Sequence, residues 1–233
     1  MNILARLDQT RSECNVLEHP FYQRWSAGEL SAEELECYAG EYRHAVLALA
    51  EASQAAAAKA GPRYASGLSA HAAEEASHVE LWDDFTRAAR AARAARAPQA
   101  PAAPGAPEGK QATDGNGPLE ETQACMRAWT AGESLLEHLA VLYAIEAGQP
   151  EVSKTKLEGL TEHYGYSPEG PAVEYFTLHE RLDREHARQA GELIVQLLSE
   201  HEDAEAQTDR MLARAQAALR GNWELLSGVE AAR

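Results

Sequence analysis

Two segments of this 233-residue chain carry the same arrangement of side chains that bind metals. His179, Asp183 and His186 stand at offsets of four and seven, and His71, Glu75 and His78 repeat those offsets, with Glu74 beside them. On an α-helix, at about 100° per residue, such positions fall within roughly 60° of one another. Each segment therefore presents two imidazoles and a carboxylate on one stripe. Mixed nitrogen and oxygen donors suit a first-row transition ion such as iron or manganese better than calcium. Between the two segments, Glu146 ends the apolar run Leu139-Ala140-Val141-Leu142-Tyr143-Ala144-Ile145. A carboxylate buried there without a partner would be costly, so an inward-facing Glu146 needs a cation.

Three helices of a bundle would thus supply Glu75 with His78, Glu146, and His179 with Asp183 and His186. Six such ligands can hold two ions and leave positions open for dioxygen. A single histidine of this kind is ordinarily a solvated polar group; the repeated spacing is what argues for a site. The His-Glu-x-x-His pattern of zinc proteases is absent.

The elements that must position these groups read as helices. Asn2 to about Glu18 has a helical apolar pattern that stops before His19-Pro20. Phe21 to Trp25 packs three aromatic rings into five positions, with Phe21 and Trp25 on one face and Tyr22 on another. Ser31 followed by Glu33 and Glu34 marks a helix start, and the stripe Leu35, Tyr38, Tyr42, Ala45, Val46, Leu49 continues it. Glu41 and His44 on this helix read as surface or capping groups. After Gly61-Pro62 comes the helix of His71, Glu75 and His78. A long helix is expected from Leu119 through Ile145 to Gly148, a shorter one from Glu151 to His163, one from about Ala172 to Glu200, and a last one from Ala204 to Leu226. No stretch alternates with period two. The expected fold is all-α, a compact bundle of about seven or eight helices in a single domain spanning 1–233.

One stretch breaks the pattern. From about 90 to 117, Ala-Ala-Arg repeats lead into a segment rich in Ala, Pro and Gly that cannot bury enough apolar surface to offset its ordering entropy. It reads as a disordered insertion without chemistry.

A net charge of -16 leaves no general basic surface for nucleic acid and disfavours anionic membranes. Cys14, Cys37 and Cys125 are odd in number and widely spaced, so they read as reduced thiols. The N-terminus lacks a signal pattern and no apolar run approaches the length of a membrane span, so the expected location is cytoplasmic.

Longer segments carry a family resemblance. Leu17-Glu18-His19-Pro20-Phe21-Tyr22-Gln23-Arg24-Trp25-Ser26-Ala27-Gly28-Glu29-Leu30, His78-Val79-Glu80-Leu81-Trp82, Leu142 to Glu146, Gly159-Leu160-Thr161-Glu162-His163-Tyr164-Gly165 and Tyr175-Phe176-Thr177-Leu178-His179 look like one group of proteins. The chain resembles the haem-oxygenase-like di-metal oxidases, whose fold is shared with the thiaminase and pyrroloquinoline-quinone synthase families. Within them it is most similar to the group of the chlamydial protein associating with death domains, whose bacterial relatives make para-aminobenzoate for folate.

That resemblance implies a haem-oxygenase-like bundle, two metal ions (iron with iron, or iron with manganese), and dioxygen and an external reductant as co-substrates. It carries the ligand series onto His78, Glu146, His179, Asp183 and His186. The first ligand falls on Glu75, with Glu74 and His71 as the neighbouring alternatives. It further implies that the protein consumes its own Tyr22 as the aromatic source of para-aminobenzoate, with Lys156 as amine donor and Tyr175 as a site tyrosine; another aromatic position of the group is Ile145 here. On their own residues, Tyr22 reads as a core aromatic and Lys156 as an exposed helix lysine. A neutral lysine amine is required of a nucleophile, and burial favours it. The alternatives are a multi-turnover oxidase acting on a free small molecule and a metal-free interaction protein of the same fold. A homodimer is expected, with no obligatory protein partner.

Overall fold

The computed structural model describes residues 2–96 and 117–232. Among them are nine α-helices and no strand: α1 (Ile3–Glu13), α2 (Pro20–Ala27), α3 (Ala32–Lys59), α4 (Ala65–Arg96), α5 (Glu120–Thr130), α6 (Leu135–Glu146), α7 (Gln149–Glu162), α8 (Pro171–Ser199) and α9 (Ala204–Ala231), with a 3₁₀ turn at Val16–Glu18. The all-α architecture is the expected one. No helix among the described residues is long and apolar enough to cross a membrane.

Local chemistry explains where the helices begin. Pro20 does not end a helix but opens one at its first position, where its missing N–H costs nothing, and His19 Nδ1 accepts from the Phe21 N–H at 3.0 Å. The expected segment 21–25 thereby lengthens to eight residues. Ser31 and Glu34 form a reciprocal capping box at the start of α3. Arg24 reaches Glu34 at 2.7 Å and Glu230 at 2.9 Å, tying α2 to both ends of the chain.

Several boundaries move. The first helix stops at Glu13 rather than about Glu18, because Asn15 caps the short turn that follows. The single helix expected from Leu119 to Gly148 is two, α5 and α6, separated by Ala131-Gly132-Glu133-Ser134. Ser134 Oγ accepts from the Glu137 N–H at 3.2 Å, and Glu137 accepts from the Glu133 N–H at 3.1 Å. Of the expected insertion, residues 90–96 continue α4 as helix, with Arg93 held by Glu36 at 2.6 Å; residues 97–116 lie outside the described residues.

Alanines line the contact between α3 and α4, the most extensive in the molecule, and let their backbones approach: Trp82 donates to the Ala39 carbonyl at 2.8 Å. α8 packs against both α4 and α6, and α6 also against α3, so the ligand-bearing faces of α4, α6 and α8 meet in the interior. Gly159 on α7 is the close-approach point for α2. A Cβ there would stand 2.5 Å from the Trp25 ring. Its absence lets Trp25 donate to the Lys156 carbonyl at 3.2 Å, which brings Tyr22 and Lys156 to the same wall of the core.

Candidate metal centre

The stripe of α4 and the stripe of α8 face each other, with Glu146 entering from the last turn of α6. Two groups of ligand atoms form, His71–Glu75–Glu146–His186 and Glu75–His78–His179, each with its atoms within 4.8 Å of one another. Glu75 belongs to both. Its Oε1 lies 3.3 Å from His78 Nδ1, 3.6 Å from His71 Nε2 and 3.7 Å from His186 Nδ1. Glu146 Oε1 is 3.1 Å from His71 Nε2. Asp183 Oδ1 stands 3.7 Å from His186 Nδ1. All but partly buried His71 are buried.

Backbone and carboxylate contacts aim the rings. His179 Nδ1 lies 2.6 Å from the Tyr175 carbonyl, which can only accept, so Nδ1 carries the proton and Nε2 faces the cluster. His186 Nε2 lies 3.2 Å from the carboxylate of Glu74, leaving Nδ1 toward Glu75 and Asp183. This is the outer support that metal-binding histidines use to set ring orientation and basicity. Of the three alternatives for the first carboxylate position, Glu75 lies at the centre, His71 joins the cluster as well, and Glu74 reaches only the outer nitrogen of His186.

The donor set suits cations. His179 Nε2, both oxygens of Asp183 and of Glu146, Glu75 Oε1, His78 Nδ1 and His186 Nδ1 are buried without a hydrogen-bond partner. Such a concentration of orphaned donors is costly in a protein interior and is satisfied by metal coordination. Protonation follows the same crowding. Burial raises Glu146 and lifts Asp183 to about 7. Burial opposes a charge on His71, yet the Glu146 and Glu75 carboxylates push it up to about 10. Burial lowers His179 to about 4.

A second set of groups lies behind the first. Tyr175 stacks on His179 with ring centroids 3.8 Å apart, and Trp82 stands edge-on to Tyr175 at 4.8 Å. Tyr42 follows at 5.0 Å from Trp82, and Tyr38 at 5.2 Å from Tyr42. The Tyr38 and Tyr22 hydroxyls are 3.0 Å apart. Phe21, Tyr22 and Trp25 are all buried, so α2 is enclosed on more than one face. Lys156 is not an exposed helix lysine either. Its side chain is fully buried, and its Nζ lies 4.5 Å from the Tyr42 ring centre and 5.4–5.6 Å from those of Trp82, Tyr38, Phe176 and Tyr22. Burial lowers its pKa to about 7. Ile145 is buried beside Glu146.

Sequence reasoning overlooked the cage itself. Tyr38 and Tyr42 are four apart on α3 and so share a face, a signal that was visible, but Trp82 and Phe176 join them only through packing. Glu41 is structural, accepting from the Leu119 N–H at 3.1 Å and from Thr122 Oγ1. A cavity of about 320 Å³ reaches the metal side, bordered by Leu68, Leu139, Leu142, His71 and His186, with exposed Arg63 beside it.

Comparisons with known proteins identify the family and the fold. A model of the iron-containing redox enzyme family matches residues 37–221. The 4-aminobenzoate synthase of Chlamydia trachomatis is 32% identical over 87% of this chain and 84% of its own length. That of Nitrosomonas europaea is 25% identical over 96% and 89%. Among solved structures, a TenA homolog from Pseudomonas syringae superposes with a TM-score of 0.74 at 15% identity, covering 98% of this chain and 91% of that one. A domain of haem-oxygenase-like fold from Shewanella denitrificans gives 0.72 at 16%, covering 100% and 93%.

Proposed function

The chain belongs to the iron-containing redox enzyme family, and we propose that it is an oxygen-dependent di-metal oxidase forming para-aminobenzoate (4-aminobenzoate) for folate synthesis from its own Tyr22, with nitrogen from Lys156. Glu75, His78, Glu146, His179, Asp183 and His186 would hold two ions, iron with iron or iron with manganese, and His71 adjoins them. The ions, once bound, supply activation of dioxygen with electrons from an external reductant.

The observation that carries this reading is the placement of Lys156. A buried amine with no partner and a pKa near 7 is substantially neutral at physiological pH, with its lone pair available. It sits in the same aromatic enclosure as Tyr22, and that enclosure is in ring contact with His179 through Tyr175. Tyr38 holds the Tyr22 hydroxyl in place. The rings shut bulk solvent away from both reacting groups, which favours transfer of the nitrogen over hydrolysis. Each polypeptide would act once.

The test is a single-turnover reaction. Protein loaded anaerobically with Fe(II), then given dioxygen and reductant without organic substrate, is expected to release no more than one equivalent of product and to show a modified Tyr22 peptide. Protein labelled with ¹⁵N only in lysine should pass the label to the product. An intact Tyr22 peptide in protein that holds metal and consumes dioxygen would sink the mechanism. The 320 Å³ cavity at His71 and His186 favours one alternative, multi-turnover oxidation of a free small molecule, which would show as product exceeding protein only when a substrate is added.

A further inference from the structure

Gln149, Ser153 and Lys156 stand on α7 at offsets of four and seven, one stripe again, and none is more than 4% exposed. Only Lys156 has a part in the proposed reaction. Gln149 Nε2 donates to the Tyr42 hydroxyl at 3.3 Å, and Asn222 of α9 lies against the same hydroxyl. Yet Gln149 Oε1, Ser153 Oγ and Asn222 Oδ1 are buried without any hydrogen-bond partner from the protein. Two of these atoms belong to side chains that meet the Tyr42 hydroxyl, and Ser153 lies between Gln149 and the equally unpartnered Lys156 on the same stripe; such buried polar atoms are what ordered water satisfies.

The space is present. Gln149 and Asn222 line a cavity of about 30 Å³ whose other walls include Arg11, Asn15 and exposed Glu151. At about 10–15 Å³ each, it has room for two waters. It reaches inward as far as Gln149 and Asn222, whose side chains meet the Tyr42 hydroxyl behind them, and the Tyr42 ring is the nearest of the five to Lys156 Nζ.

We propose that Gln149, Ser153 and Asn222 hold a short file of waters that carries protons between this cleft and the enclosed Tyr42 hydroxyl and Lys156 amine. The need for it rests on the function proposed above: a lysine sealed among five rings must still shed a proton before it can give up its nitrogen. An N–H proton of Lys156 passes to a water held by Ser153 and Gln149. That water yields one of its own outward, and bulk solvent receives it at the cleft. Only N–H and O–H bonds are exchanged, and no electrons move. The three side chains are positioning residues, since they touch the water rather than the reacting groups.

The experiment reads proton exchange directly. The full chain, labelled with ¹⁵N-lysine, carrying diamagnetic Zn(II) and kept free of dioxygen, gives an Nζ–H resonance assigned by its loss in Lys156→Met. Its exchange rate with water is compared across variants at fixed pH. Gln149→Leu with Asn222→Leu is expected to slow exchange at least tenfold, and Asn222→Leu alone, the milder change, several-fold. Asn222→Ser, small and still polar, should stay near the parent rate. Unchanged exchange in a folded leucine variant overturns the conduit. Equal slowing by Asn222→Ser also overturns it, because that would mark altered packing. With no dioxygen present, the result is independent of whether Tyr22 is consumed.

Discussion

The interior around Glu75 and the interior around Lys156 are both buried and both polar, but they handle charge in opposite ways. Around Glu75, three carboxylates and four imidazoles crowd together and divide their protons unevenly: Asp183 is raised to about 7 and His71 to about 10, while burial lowers His179 to about 4 and, against its burial, His71 and His78 hold Glu75 below the usual carboxylate range. Around Lys156, one amine lies among five rings with no hydrogen-bond partner; the Asp183 carboxylate favours its charge, but burial outweighs it and the pKa falls to about 7. One region can be relieved by cations entering; the other is relieved by a cation ceasing to be one. A wide cavity reaches the first, and a small cleft bordered by Gln149 and Asn222 approaches the second. The lesson is that depth of burial alone does not set the chemistry. The sign and number of the enclosed groups decide whether a site collects metal or makes a nucleophile.

Substitutions can break this contrast at either end, and the largest effect is expected at Glu75. Removing the carboxylate common to both ligand groups, as Glu75→Ala, should lower bound iron from about two ions per chain to below one. Product should fall by more than the roughly 10–100-fold typical of changes outside the ligand set. Glu74→Gln, which touches only the outer nitrogen of His186, should stay within that smaller range. Metal analysis alongside single-turnover yield checks both, and equal losses would erase the distinction between the two glutamates.

At the other end, Lys156→Met should stabilise the metal-free protein by roughly 5 kcal/mol at pH 6, read by urea unfolding. The sign follows from the lowered pKa. Between about 7 and 10.5 the unfolded chain holds the lysine proton and the folded chain does not, so parent stability rises with pH across that window. The variant's advantage should be greatest below pH 7 and shrink toward pH 10.5. An advantage independent of pH would mean that the amine is not the source.

The metal end should show its own pH dependence. Asp183 must lose its proton to bind an ion, so Fe(II) affinity is expected to strengthen as pH rises to about 7 and to weaken about tenfold per unit below it. Anaerobic calorimetry at pH 6, 7 and 8 measures this. The smallest expected effect is Tyr38→Phe. It leaves the buried Tyr22 hydroxyl without its partner and should cost about 1–2 kcal/mol, a drop of a few degrees in Tm.

Much of this was legible in the chain. The repeated offsets of four and seven marked the ligand helices because helical periodicity alone puts such residues on one stripe. Glu146 was marked by the apolar run before it. The break between α5 and α6 was missed because Met126, Trp129, Leu135 and Leu136 keep a helical-looking apolar pattern across it; Ser134 and Glu137, at capping-box spacing, were the overlooked signal. Helix 90–96 was missed because composition shifts before the helix ends: Ala and Arg are strong helix formers, and Arg93 finds Glu36 on the neighbouring helix.

What the sequence by itself determined is which residues share a face, since that depends only on the rise and turn of a helix. It thereby specified the all-α class and the candidate metal ligands. Only the tertiary structure decided which faces meet. That Glu75 and His71 meet Glu146 and His186 follows from how α4, α6 and α8 pack, and that Lys156 is enclosed rather than exposed follows from how α2, α3, α4 and α8 pack on α7. The closest of those approaches is set by a missing side chain at Gly159. Periodicity is local and repeats every turn, whereas burial and pKa depend on atoms contributed by segments more than a hundred residues apart.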